Sequence, residues 1–66
     1  MKNEVEFLQL IRSVCSHNAE ISVHFKDATH ERNVLIKKAH TVSAEANFKM
    51  VKLINQRIEL IRLGKL

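Results

Sequence analysis

Between Ala44 and Leu63, apolar side chains return at Ala44, Phe48, Val51, Ile54, Ile58 and Ile61. This is the i, i+3, i+4, i+7 spacing of one face of an α-helix. Met50, Leu53, Leu60 and Leu63 form a second row that widens the stripe. Lys49, Lys52, Gln56, Arg57, Glu59 and Arg62 take most of the remaining surface. In a chain of 66 residues, a helix of this length constrains everything else, because the remainder must supply a cover for its apolar face.

Little in the chain interrupts helix. There is no proline, and the single glycine is Gly64. Asn3 followed by Glu6 fits a capping box, so a first helix is expected to start near Glu4. Phe7, Ile11, Val14, Asn18, Ile21, Phe25 and Ala28 then alternate at spacings of four and three, a heptad seam with one polar member. Ala19 to Lys26 also alternates apolar and polar residues with β-branched members, which is strand-like. A lone strand would have no partner within the chain, so helix is the reading adopted. Asp27 and Thr29 are N-cap residue types at the head of the longest polar run, and a second helix is expected to open there. Leu35, Ala39, Val42 and Ala46 form an apolar row that shifts to the Phe48 row in the manner of a stutter. His40-Thr41-Val42-Ser43 offers a further break.

The expected fold is therefore all-α and a single domain spanning 1–66. It is an antiparallel hairpin with helices near 4–26 and 28–63, or three helices if the second splits near 41–43. In the hairpin, the second helix outruns the first by roughly ten residues, or ~15 Å. That overhang would carry Val51, Ile54, Ile58 and Ile61 into water unless a second copy covered them. A homodimeric helical bundle is expected, with Asn18, Phe48, Val51, Ile54, Ile58 and Ile61 at the interface. Asn18 is the polar seam residue that would fix its register.

The first residues, MKNEVEF, do not form a secretory signal, and no apolar run approaches the ~20 residues of a membrane span. With one cysteine, Cys15, no intrachain disulfide can form, and a reducing cytoplasm is the expected location. Charge is uneven. Residues 1–33 hold four basic and five acidic residues, net −1; residues 34–66 hold seven and two, net +5. Lys38, Lys49, Lys52, Arg57 and Arg62 are the candidate contacts for nucleic acid. Against that reading, there is no zinc finger, no arginine-rich run and too few aromatics for base stacking. A membrane surface is not expected, because the apolar stripe is needed for the core.

Sites for chemistry are sparse. His30-Glu31 opens an H-E-x-x-H pattern, but Val34 stands where the second histidine is required. His17 and His24 are two helical turns apart, too far for one metal without a third element. Cys15 sits beside Val14 in an apolar stretch, with no spacing that enforces a histidine partner. Thr29-His30-Glu31-Arg32 resembles, over these residues alone, the phosphoacceptor segment of histidine kinases, Ser-His-Glu-Leu/Phe-Arg. The resemblance implies phosphotransfer at His30. Thr29 replaces the serine, Arg32 falls one place early and no proline follows. No enzyme, cofactor or metal site is expected. The expected function is that of a small regulatory or adaptor protein, binding itself and a protein partner through helix faces. Met50, Leu53, Leu60 and Leu63 are the expected partner groove. The alternative is a basic nucleic-acid-binding regulator.

Overall fold

A computed structural model describes residues 2–65 and is an antiparallel pair of helices, α1 (Lys2–Ala28) and α2 (Val34–Arg62). The hairpin is 50 Å long and 16 by 11 Å in section, measured on Cα atoms. The alternation in Ala19–Lys26 is thus carried within helix, and α2 runs unbroken through His40–Ser43. At the second point Thr41 Oγ1 donates to the Lys37 carbonyl (2.9 Å). The hydroxyl back-bonds within the helix instead of capping a new one.

The ends of the helices differ from the sequence reading. Asn3 lies inside α1, so the Asn3–Glu6 box is not the helix start. Thr29 closes α1 and does not open α2: its Oγ1 donates to the Phe25 carbonyl (2.6 Å) and its N–H to that of Lys26 (3.3 Å). Residues 29–33 turn the chain, with the Asn33 N–H donating to the His30 carbonyl (2.9 Å). Asn33 is the N-cap residue of α2, without a side-chain cap bond. At the far end Gly64 adopts φ 68°, the left-handed conformation that glycine takes without a Cβ penalty. Lys65 N–H then reaches the Leu60 carbonyl (3.0 Å) and Gly64 N–H that of Ile61 (3.1 Å), the paired bonds of a Schellman motif.

With 27 and 29 residues the two helices are nearly equal, so the expected overhang is absent. It arose from opening α2 about six residues too early. Val51, Ile54, Ile58 and Ile61 are covered by α1 of the same chain, with Ile54 5% and Ile58 3% exposed. The seam that α1 presents to them is not the one built on Phe7. It runs Val5, Leu8, Arg12, Cys15, Ala19, Ser22, Lys26 and Thr29. The α2 seam runs Lys37, His40, Ala44, Asn47, Val51, Ile54, Ile58 and Ile61. Both alternate strictly at three and four, and every member is buried or half-buried. There is accordingly no stutter: Leu35, Ala39, Val42 and Ala46 belong to a different side of α2 from the seam.

The seam changes character along its length. Near the termini it holds Leu8, Ile54, Ile58 and Ile61. On the turn side of its middle it holds Ala19, Ser22 and Ala44, with Ser43 alongside, and nearest the turn Lys26, Thr29, Lys37 and His40; small residues allow close approach of two helices. Ser22, the one buried polar residue among those described, shares a 3.0 Å hydrogen bond with Ser43. Ser22→Ala should cost about 1 kcal/mol in urea denaturation, because it leaves the Ser43 hydroxyl half-buried without its partner. Ser22→Ala with Ser43→Ala should cost less than Ser22→Ala alone. A double variant that is worse than the single would show that the bond is not what the two hydroxyls contribute.

Candidate functional site

Once the seam is assigned, each helix still carries apolar rows that nothing in the chain covers. On α1 these are Phe7, Val14, Ile21 and Ala28, and beside them Ile11, Asn18 and Phe25. On α2 they are Ala39, Ala46, Leu53 and Leu60, and beside them Ile36, Ser43 and Met50. Three contacts between the helices place the four rows on one side of the hairpin. Glu4 accepts from Arg57 Nη2 (3.0 Å) and Nε (3.2 Å), at the terminal end of the two inner rows. Ser43 meets Ser22 in the middle. Near the turn, the Phe25 ring stacks on His40, with centroids 5.6 Å apart and planes at 23°. Since α1 and α2 are antiparallel, rows that flank the seam at Glu4–Arg57 flank it together along the whole hairpin.

This side is solvent-exposed from end to end. Phe7 is 61% exposed, Phe25 51% and Leu53 50%, and Val14, Ile36 and Met50 are comparable. Its polar members are Asn18 and Ser43 near the middle and the Glu4–Arg57 pair at one end. Both partners of that pair are more than a third exposed, which makes it a weak, salt-screened contact. The other side of the hairpin is polar. On α1 it presents Glu6, Ser13, Glu20 and Asp27, and on α2 Lys38, Glu45, Lys52 and Glu59. Arg12 Nη1 donates to Asn55 Oδ1 (2.8 Å) across it. Phe48 and, near the turn, Val34 are exposed apolar residues on that polar side.

The structure divides the residues singled out from sequence. Ile54 and Ile58 are buried within the hairpin, and Val51 and Ile61 are half-buried in its seam. Asn18 lies on the exposed apolar side, and α1 neither bends nor ends there. Met50, Leu53 and Leu60 lie on that same side, with Leu63 at its edge. The five basic candidates do not form a stripe. Lys38 and Lys52 alternate with Glu45 and Glu59 along one row, Lys49 stands on another, Arg62 on a third, and Arg57 is held by Glu4.

Histidines and cysteine are dispersed. His17 and His24 are exposed on the outer surface of α1, where with Glu20, Ile21 and Phe25 they border a shallow depression of about 410 Å³. His30 sits in the turn, its Nδ1 accepting from the Arg32 N–H (3.1 Å). Cys15 is half-buried in the seam. Among the described residues, no group of three or more histidine, cysteine, aspartate or glutamate side chains is placed to hold a metal ion. None of the described helices is long and apolar enough to cross a membrane.

What sequence periodicity missed was the choice between the two seams of α1. The larger side chains mark the exposed one, and the buried one is marked by alanine and serine. Both rows alternate strictly at three and four, so spacing alone does not separate them; the structure seats the isoleucine row of α2 on Val5 to Thr29. Neither a protein-family model, nor a curated protein, nor a solved structure matches the chain, so its function has to be read from these residues alone.

The two seams can be distinguished by substitution. At low protein concentration, Ile54→Ala should lower unfolding free energy by about 3 kcal/mol, as for a buried aliphatic truncation. Leu53→Gln should change it by no more than about 0.5 kcal/mol, as for a surface residue. Equal losses would place Leu53 in the core of the single chain.

Proposed function

We propose that this chain is a small non-enzymatic regulatory or adaptor module that acts through helix-mediated binding. It self-associates as a homodimer and offers helical surface to a protein partner, in a reducing cytoplasm where Cys15 stays a thiol. The observation that carries the reading is the apolar side of the hairpin, which is continuous over both helices while the opposite side is charged. Monomeric proteins seldom leave apolar patches of more than a few hundred Å² open, and larger ones mark interaction sites. The side measures about 50 by 16 Å, so it presents roughly 800 Å², the per-partner area of a standard protein–protein interface.

Stability supports the same reading. Among the described residues, the buried apolar ones are Ala19, Ala44, Ile54 and Ile58, and no large side chain is fully enclosed. Small chains with so slight a core ordinarily need a disulfide, a metal or association. A disulfide within the chain is excluded by the single cysteine. Association is the remedy that also uses the open face.

The net charge of +4 favours nucleic acid as the alternative partner, and the scatter of Lys38, Lys49, Lys52, Arg57 and Arg62 weighs against it. Sedimentation equilibrium should give a dimer at micromolar concentration for the native chain and for Lys49→Glu with Lys52→Glu. Ile21→Glu with Leu53→Glu should give monomer with reduced thermal stability. A native chain that is monomeric at hundreds of micromolar would overturn self-association. Binding to a random DNA duplex that weakens log-linearly with salt would move the function to nucleic acid.

A further inference from the structure

The self-association proposed above leaves open how the second copy lies, and two independent features of the hairpin decide it. We infer that the two copies stack their apolar sides antiparallel, with the turn of each against the chain termini of the other.

The first feature is shape. Along the apolar side, α1 carries large residues throughout. On α2 the half near the termini carries Met50, Leu53 and Leu60, and the half near the turn carries Ala39, Ser43 and Ala46 with one large residue, Ile36. The apolar side of α2 is therefore bulkier toward the termini than toward the turn. Stacking two hairpins turn-to-turn gathers the large α2 residues of both copies in one half of the bundle and most of the small ones in the other. One half would be overfilled and the other left with voids, and each departs from the constant density of protein interiors. Stacked turn-to-termini, every layer holds large residues from both α1 helices and one large and one small set from the two α2 helices. Layer volume is then even along the bundle, as facing large and small residues require.

The second feature is charge. Residues 16–45, the half that contains the turn, hold four basic and four acidic residues and are neutral; the whole net charge of +4 lies in the terminal half. Turn-to-turn stacking would gather both +4 halves in one half of the bundle. Antiparallel stacking moves them to opposite ends, with centres about half of the hairpin's 50 Å length apart, well beyond the ~8 Å screening length at physiological salt.

The area available is enough for a stable pair. The chain exposes 5302 Å², about 1,000 Å² more than a compact protein of its mass would. A standard interface removes ~800 Å² from each partner, so one such contact returns the chain to the ordinary range.

The test uses the full chain with Cys15→Ser and one nitroxide label in the exposed turn, at Glu31→Cys, with Arg32→Cys as an independent second site. Double electron–electron resonance is recorded alongside sedimentation on the same samples. Dimeric protein with label-to-label distances near 50 Å supports the antiparallel stack. Dimeric protein with distances under about 25 Å overturns the orientation and leaves self-association standing. Monomeric protein without a dipolar signal, at both label sites and in the unlabelled chain, overturns the stack and the self-association on which it rests.

Discussion

A two-helix fold has one helix–helix contact, and this chain has apolar residues for two on each helix. That mismatch governs the rest of the molecule. The isoleucine row of α2 takes the single contact, seated on the Val5 to Thr29 row of α1. Phe7, Val14, Ile21 and Phe25 are then left outside together with Leu53 and Leu60. The radius of gyration, 15.1 Å against about 11 Å for a compact chain of this length, expresses the same fact in shape. Rather than folding around a core, the hairpin is a single layer with one apolar side and one polar side. Such a layer is half of the two-layer arrangement from which stable domains are built.

Burial in the seam is decided by size as much as by hydrophobicity. Ala19 and Ala44 are among the most buried residues, while Phe7, Leu10 and Leu35 stand in solvent. Close approach of two helices near the turn requires small side chains there, and these contribute little transfer energy of their own. The Ser22–Ser43 bond is compatible with such proximity because it satisfies both hydroxyls where water has little room. A reading that ranks residues by hydrophobicity alone therefore places the wrong face of α1 inward.

The helical class and the hairpin topology were legible in the sequence, since no proline or internal glycine competes with the periodicity of Ala44–Leu63. The turn was harder. Asp27 and Thr29 have the chemistry of N-caps, and only the spatial course of the chain shows Thr29 bonding backward to Phe25. Misplacing the turn by about six residues produced a fictitious overhang, and with it the idea that Val51 and Ile61 need a second copy. The apolar candidates Met50, Leu53 and Leu60 were legible from their row alone, whereas the basic candidates lost their common face once each lysine and arginine was assigned to a row. Lys52, for instance, lies between Glu45 and Glu59 on its own row, so that row is not continuously basic.

The small-residue contact beside the turn also bears on how the chain reaches this structure. Ser22 and Ser43 are 21 residues apart, whereas Glu4 and Arg57 are 53 apart. Closing the shorter loop costs about 0.8 kcal/mol less in chain entropy. By the same measure the cheapest first docking is beside the turn, at Phe25–His40 and then Ser22–Ser43, and the isoleucines engage afterwards, toward the termini. Such an order of assembly keeps the loop to be closed short at every step, and the last residues to dock are the first to open.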